Sequence, residues 1–90
     1  MPTPFCVLII DDISEDALLI EADLREHWPV LVSERVEDMR GLQAVLDQKQ
    51  WDCVICSIAI PGLYTQEALK FVRQNSSDLP FIIVSGVVDF

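Results

Sequence analysis

The sequence predicts an α/β fold in which helices cover both faces of a parallel sheet. Three observations support this class: short continuous apolar runs, amphipathic stretches between them, and turn or acidic residues where the runs end. Continuous apolar runs are typical of strands buried on both faces. Strands that alternate with helices of this length indicate parallel βαβ crossovers, and therefore a doubly wound sandwich.

Four strands are expected. The first is the apolar run FCVLII, which stops abruptly at Asp11 as a central strand does when it reaches the surface. The second, VLVSERV, alternates and is typical of a strand nearer an edge. In chain order, the predicted strands span residues 5–10, 30–36, 52–60 and 81–84.

Three helices are expected between these strands, at residues 14–28, 37–50 and 67–74. Ser14 is the predicted cap of the first helix, and Pro29 ends it. Gly41 lowers the helical propensity of the second. The first helix carries one apolar stripe at helical spacing, formed by Ala17, Ile20, Leu24 and Trp28. Residues 87–90 receive no assignment.

The charge of the chain excludes several classes of partner. Six Lys and Arg residues against fifteen Asp and Glu give a net charge of −9. Direct binding to nucleic acid or to an anionic membrane needs a basic surface, so neither is expected. The start of the chain lacks the features of a signal peptide, and no apolar stretch is long enough to cross a bilayer. The expected location is cytoplasmic.

Three cysteines lie within apolar runs, which indicates buried, reduced thiols in a reducing compartment. Cys53 and Cys56 have the CxxC spacing of redox and metal sites. On an extended strand, however, residues three positions apart point to opposite faces. Packing is therefore the favoured interpretation of this pair.

The polar residues that end the strands define a candidate site. In doubly wound sheets, ligands bind at the carboxyl ends of the strands, near the switch point of strand order. The residues expected there are Asp11, Asp12, residues 57–61, Ser85 and Gly86. A dinucleotide-binding domain of similar topology would need GxGxxG after the first strand. The chain has DDISED instead, which would repel a pyrophosphate.

Four segments, in this order, give the chain a resemblance to a known family: the pair Asp11-Asp12, WDCVICSIAIPG, EALKFVR and DLPFIIVSG. The chain resembles the receiver domain of response regulators in two-component phosphorelay signalling. The resemblance covers nearly all of residues 1–90, and 45 positions separate Asp12 from Ser57. It implies a flavodoxin-like sheet with strand order 2-1-3-4-5. The fifth strand, its lysine and the last two helices have no counterpart, so the chain is interpreted as a receiver domain incomplete at its C-terminus.

The resemblance also implies a set of site residues. In a receiver domain, two acidic residues and a backbone carbonyl hold Mg²⁺, an aspartate accepts the phosphoryl group, and a hydroxyl on the fourth strand contacts that group. Counting back four positions from Pro61 places the acceptor position at a serine. These roles fall here on Asp11 and Asp12 (metal), Ala59 (metal, by its carbonyl), Ser57 (acceptor position) and Ser85 (hydroxyl).

Ser57 is the main departure from the family pattern. A carboxylate is ionised at neutral pH, whereas a serine hydroxyl is a weak nucleophile unless an adjacent base removes its proton. The serine also removes one negative oxygen ligand, so Mg²⁺ binding is expected to be possible but weakened. The only histidine, His27, is predicted at the far end of the first helix.

Three functions are left open by these residues. The first is a non-enzymatic interaction module that has lost phosphoacceptance and docks on a histidine kinase or another signalling protein. The second is an active phosphoacceptor that uses Mg²⁺ and an unconventional acceptor, namely Ser57, Asp11 or Asp12. The third is a structural fragment. An exposed fourth strand would also favour a homodimer through this edge.

Overall fold

The computed structural model of the protein describes residues 4–58, 60 and 62–84. Strands and helices alternate along these residues, as the sequence predicts. In chain order the elements are β1 (Phe5–Ile10), α1 (Ser14–His27), β2 (Leu31–Val36), α2 (Met39–Val45), β3 (Cys53–Ser57), α3 (Thr65–Asn75) and β4 (Phe81–Val84).

The four strands form one parallel sheet in the order β2-β1-β3-β4. This confirms the predicted doubly wound, flavodoxin-like class and the described part of the predicted strand order. The register aligns the strand ends: Ile10 of β1 lies opposite Val36 of β2 and Cys56 of β3. Ser57, the last residue of β3, lies opposite Val84 of β4.

The sheet separates two apolar cores. The larger core lies between the sheet and helices α2 and α3, and the smaller one contains Ala17 of α1. Cys56 belongs to the larger core and Cys53 to the smaller, which confirms that the CxxC pair points to opposite faces of β3. Each large aliphatic side chain that is fully buried stabilises the fold by about 1.5–3 kcal/mol. Those in the strands are Val7, Leu8, Ile9, Ile10 and Val54.

Helix α1 differs from the prediction at both ends. Ser14 is the first helical residue, and Ile13 occupies the cap position without a side-chain cap hydrogen bond. The predicted Ser14 cap is therefore wrong, because the helix begins one residue earlier and the N–H of Ala17, which a Ser14 cap could accept, already donates to the carbonyl of Ile13 at 3.3 Å. At the other end, Trp28 lies outside the helix and is 41% exposed. Its ring stacks on that of Phe5, with the centroids 4.2 Å apart.

Helix α2 is shorter than the predicted 37–50. Asp38 caps it by accepting the N–H of Gly41 at 2.8 Å. At its end, the carbonyl of Val45 accepts the N–H of Gln48 at 3.0 Å and the indole N–H of Trp51 at 3.1 Å. The helix stops there because the last carbonyl is taken by groups outside the helical pattern.

Strand β3 is also shorter than the predicted 52–60. It begins at Cys53 and ends at Ser57, and Ile58 beyond it is 56% exposed. The predicted segment includes Ala59, which lies outside the described residues, as do Ser85 and residues 87–90.

Strand β4 lies at an edge of the described sheet. Its two central side chains, Ile82 and Ile83, are 48% and 49% exposed. Exposed apolar edges favour pairing with another chain, so a homodimer through β4 stays a prediction. None of the helices in the described part of the chain is long and apolar enough to span a bilayer.

Candidate functional site at the carboxyl ends of the strands

Asp11 and Ser57 are the buried polar side chains of the described residues, with exposures of 1% and 6%. Both stand at the carboxyl ends of the two central strands, because Ile10 and Cys56 are aligned and each residue follows one of them. Neighbouring strands lie about 4.8 Å apart. The parallel register thus places the predicted metal ligand beside the predicted acceptor position.

The backbone and side chain of Asp11 are held by three hydrogen bonds. Its N–H donates to the carbonyl of Val36 at 2.9 Å. Its carbonyl accepts from Nη1 of Arg35 at 3.0 Å, and its Oδ1 accepts from the N–H of Ile13 at 2.9 Å. The remaining oxygen, Oδ2, is buried and has no hydrogen-bond partner among the described residues.

The electrostatic surroundings of Asp11 raise the pKa of its carboxyl group above 3.8. Burial is the largest cause, and the carboxylates of Asp16 and Asp12 add to it. The N–H of Ile13 and the guanidinium of Arg35 oppose the rise by favouring the ionised form. A cation bound at Oδ2 would also favour the ionised form and lower the pKa of Asp11.

Asp16 and Arg35 also act on this site, although neither was among the predicted site residues. Asp16 lies in the first turn of α1, and its negative charge contributes to the raised pKa of Asp11. The position of Arg35 one residue before the end of β2 was the available signal, since its neighbouring strand β1 ends at the same level.

The other predicted site residues have different outcomes. Asp12 follows Asp11 and is exposed to solvent. Ala59 and Ser85 lie outside the described residues, so their predicted roles are untested. Within the ranges that the structure describes, no three His, Cys, Asp or Glu side chains converge in a group that could hold a metal ion.

The donor set fits a magnesium ion held by few protein ligands. Mg²⁺ prefers hard oxygen ligands and keeps several water molecules, and it is often bound through only one or two carboxylates. Asp11 and Asp12 supply such oxygens. The unpartnered, buried Oδ2 of Asp11 is the kind of atom that a cation would stabilise. Ser57 is neutral, so it does not supply a third negatively charged ligand.

Cys56 precedes Ser57 and is unsuited to nucleophilic chemistry at neutral pH. Burial, the largest cause, raises the pKa of its thiol to about 11, and the nearby Asp11 carboxylate adds to the rise. Burial also raises the pKa of the Cys53 thiol. Reactive cysteines have lowered pKa values and access to solvent, so both thiols have the properties of packing residues.

A cleft of ≈ 680 Å³ lies away from this site, at the amino ends of β3 and β4. Its wall includes Trp51, whose ring lies 5.3 Å from Nζ of Lys49. Asp11, Asp12 and Ser57 do not line this cleft.

One curated protein is similar to the chain in sequence. No protein-family model matches the chain. The hydrogenase transcriptional regulatory protein HoxA of Cupriavidus necator is 29% identical over 83 residues, which are 92% of this chain. The chain spans only 17% of the length of HoxA.

Solved structures of response regulators share the fold. CheY4 of Vibrio cholerae, a chemotaxis response regulator, superimposes with a TM-score of 0.77 at 23% identity, over 90% of this chain and 68% of CheY4. The response regulator TrrA of Thermotoga maritima, in complex with Mg²⁺-BeF, superimposes with a TM-score of 0.75 at 22% identity. The match covers 88% of this chain and 67% of TrrA.

A chain from the complex of the histidine kinase ThkA with TrrA also matches, with a TM-score of 0.77 at 20% identity. The match covers 96% of this chain and 72% of the other. These identities are low, so the structural likeness establishes a fold of the receiver type.

Proposed function

We propose that the chain is a receiver module of two-component signalling in which phosphoacceptance is impaired. The observation that carries the proposal is Ser57, a neutral side chain at the end of β3 beside the buried carboxylate of Asp11. The shared fold of CheY4 and TrrA supports the receiver assignment. In this proposal the module acts by docking on a partner.

The proposed partner is a histidine kinase or another signalling protein. A chain of the ThkA–TrrA complex shares the fold of this one, which supports a kinase as the first choice. HoxA is named as a transcriptional regulator. Direct contact of this domain with DNA is not proposed, because its net charge of −9 would repel the phosphate backbone.

In the proposed site, Asp11 and Asp12 bind Mg²⁺ through their carboxylates, and the carbonyl of Ala59 completes the protein ligands. The bound cation would neutralise negative charge on an incoming phosphoryl group. Asp11 is prepared for this role because its Oδ2 has no other partner in the described structure. Ser57 adds no negative ligand, so the proposed affinity for Mg²⁺ is lower than that of a site with three carboxylates.

In this proposal, no described residue serves as a base that would make the Ser57 hydroxyl a competent nucleophile. The only histidine, His27, lies in the last turn of α1, at the end of the helix away from Asp11. Its Nδ1 lies 3.3 Å from the carbonyl of Asp23. Asp11 and Asp12 are poor bases while they hold a cation. Phosphorylation of Ser57, Asp11 or Asp12 is the alternative function, and the experiment below distinguishes it.

The test is incubation with acetyl phosphate and Mg²⁺, followed by intact-protein mass spectrometry. We expect no phosphoryl group on the wild-type chain. The substitution Ser57→Asp restores a carboxylate nucleophile and a third negative ligand. It should raise Mg²⁺ affinity about tenfold, measured by calorimetry, because one added carboxylate near the ion contributes on the order of 1–2 kcal/mol.

Ser57→Asn is the matched control, because it has the size of aspartate without the charge. It should gain neither Mg²⁺ affinity nor a phosphoryl group. Circular dichroism checks that both variants fold. A phosphoryl group on the wild-type chain would establish the alternative function. A folded Ser57→Asp variant with no gain in Mg²⁺ affinity would contradict the proposed site.

A further inference from the structure

Arg35 makes a contact whose purpose the proposed function does not explain. It belongs to β2, yet its Nη1 reaches across to the carbonyl of Asp11, 3.0 Å away, where β1 has already ended. The same nitrogen lies 3.5 Å from Oε2 of Glu37. The Arg35 side chain is 33% exposed and that of Glu37 is 64% exposed, so the ion pair alone adds little stability.

The carbonyl that Arg35 contacts belongs to the peptide bond that joins the two proposed metal ligands, Asp11 and Asp12. Fixing that carbonyl fixes the orientation of the peptide plane. It therefore limits the directions in which both carboxylates can point. The N–H of Ile13 restrains Oδ1 of Asp11 from the other side, and only Oδ2 is left without a described partner.

We infer that Arg35 is a positioning residue of the acidic site: its hydrogen bond to the Asp11 carbonyl orients Asp11 and Asp12 toward a divalent cation. The inference rests on the proposed function for the identity of the ligand. It assigns to a residue of the neighbouring strand a role that is separate from that of the carboxylates themselves.

The positive charge of Arg35 should weaken cation binding, whereas its hydrogen bond should strengthen it. A measurement of affinity can therefore distinguish the two effects. A guanidinium near a metal site repels the cation, so removing its charge alone would strengthen binding. Removing its hydrogen bond would release the Asp11–Asp12 peptide and weaken binding. The sign of the change in Mg²⁺ affinity when Arg35 is replaced therefore shows which effect dominates. If Arg35 positions the carboxylates, its replacement must lower the affinity.

The first measurement uses the Ser57→Asp chain, in which the proposed Mg²⁺ affinity is higher. Adding Arg35→Met, which keeps much of the apolar stem, should weaken Mg²⁺ binding about tenfold, the effect of one lost charge-assisted hydrogen bond. Arg35→Lys should restore part of that loss, because an ammonium group can also donate to the carbonyl. Unchanged or tighter binding by Arg35→Met would overturn the inference.

Arg40→Met is the matched control for charge. Arg40 is an exposed residue of α2 that lines the same surface cleft as Arg35, so the substitution removes an equal charge from the same region. We expect it to leave Mg²⁺ affinity unchanged or slightly higher. An equal loss in both variants would refute a specific role for Arg35.

The second measurement needs no metal and uses the chain with its natural Ser57. In the presence of EDTA, Arg35→Met should speed amide hydrogen exchange of Ile13 about tenfold, because the carboxylate that accepts this N–H becomes less ordered. The N–H of Val54, which donates to the carbonyl of Pro80 at 2.9 Å, is the internal control and should not change. Unchanged exchange at Ile13 would overturn the inference.

These two measurements separate the inference from the proposed function. If Ser57→Asp fails to bind Mg²⁺, the proposed function fails, and the exchange experiment still decides whether Arg35 orders Asp11. If Ser57→Asp binds Mg²⁺ and Arg35→Met does not weaken it, only the inference fails.

Discussion

Asp11 and Asp52 occupy opposite ends of the two central strands, and their carboxylates are treated differently by the fold. At the amino end, Oδ2 of Asp52 accepts the N–H of Cys6 at 2.7 Å, and the N–H of Asp52 donates to the carbonyl of Cys6 at 2.7 Å. Asp52 therefore continues the pairing of β1 and β3 beyond the start of β3. Its carboxylate is exposed and hydrogen-bonded.

At the carboxyl end, Asp11 is 1% exposed and its Oδ2 has no described partner. A buried polar atom without a hydrogen bond costs stability, whereas an exposed one that gains a hydrogen bond contributes to it. The two carboxylates therefore contribute differently to stability: Asp52 stabilises the fold, whereas the unpartnered oxygen of Asp11 destabilises it. The fold accounts for the Asp52 carboxylate and for Oδ1 of Asp11, which accepts the N–H of Ile13. It leaves Oδ2 of Asp11 without a partner among the described residues, which is the oxygen that the proposed cation would contact.

The thiols beside these aspartates give the largest expected difference. Cys6, next to Asp52, is half-buried, whereas Cys56, next to Ser57, is fully buried and its thiol has a pKa of about 11. At pH 8, iodoacetamide should modify Cys6 about a hundredfold faster than Cys56, since the thiolate is the nucleophile and access is required.

Peptide mapping after timed quenching measures these rates, and labelling in urea should equalise them. Comparable rates for Cys6 and Cys56 in the folded protein would contradict the packing role of the CxxC pair. They would also show that the carboxyl end of β3 is open to solvent.

Replacing Asp11 tests the cost of its buried charge. In EDTA at pH 7, Asp11→Asn should raise the free energy of unfolding by about 1 kcal/mol, because it removes a buried charge with an unpartnered oxygen. The pKa of Asp11 is raised in the folded state, so the native protein holds the proton more tightly than the unfolded chain. The stability that this proton contributes is present at low pH and is lost as the pH rises from 3.8 through the raised pKa.

The advantage of Asp11→Asn should therefore vanish below about pH 3, where both states of the wild-type chain are protonated. Urea denaturation at several pH values measures it. Added Mg²⁺ should stabilise the wild-type chain and not the variant. The difference between their free energies of unfolding at pH 7 should therefore become smaller. A variant that is less stable at every pH would show that Asp11 is structural, like Asp52.

The sequence was sufficient to predict the fold because its signals are local and strong. The run FCVLII could only be a buried strand, and all four of its last residues are fully buried in the sheet. The helix ends were predicted less well. The helix predicted over 37–50 ends at Val45 because the Trp51 indole, six positions later, takes its carbonyl. Sequence pattern does not record such a contact.

Part of the candidate site followed from strand ends alone, since parallel strands present their carboxyl ends at one edge. Asp11 and Ser57 were placed there correctly. The difference in burial between Asp11 and Asp12 was not predictable, because it depends on which side chain turns toward the sheet. The contact of Arg35 with Asp11 was also missed, since it joins residues 24 positions apart.

Replacing Asp52 is expected to have the smallest effect of these changes and the opposite sign to that of Asp11→Asn. Asp52→Ala removes the acceptor of the Cys6 N–H and should lower the free energy of unfolding by about 0.5–1 kcal/mol, as for one exposed hydrogen bond. Asp52→Asn keeps an oxygen acceptor and should lose less. Urea denaturation at pH 7 measures both, with Asp78→Ala as a control at an exposed loop position that lines the same cleft. If Asp52→Ala instead stabilised the protein as Asp11→Asn should, the two carboxylates would be equivalent, and the case for a ligand at Asp11 would lose its support.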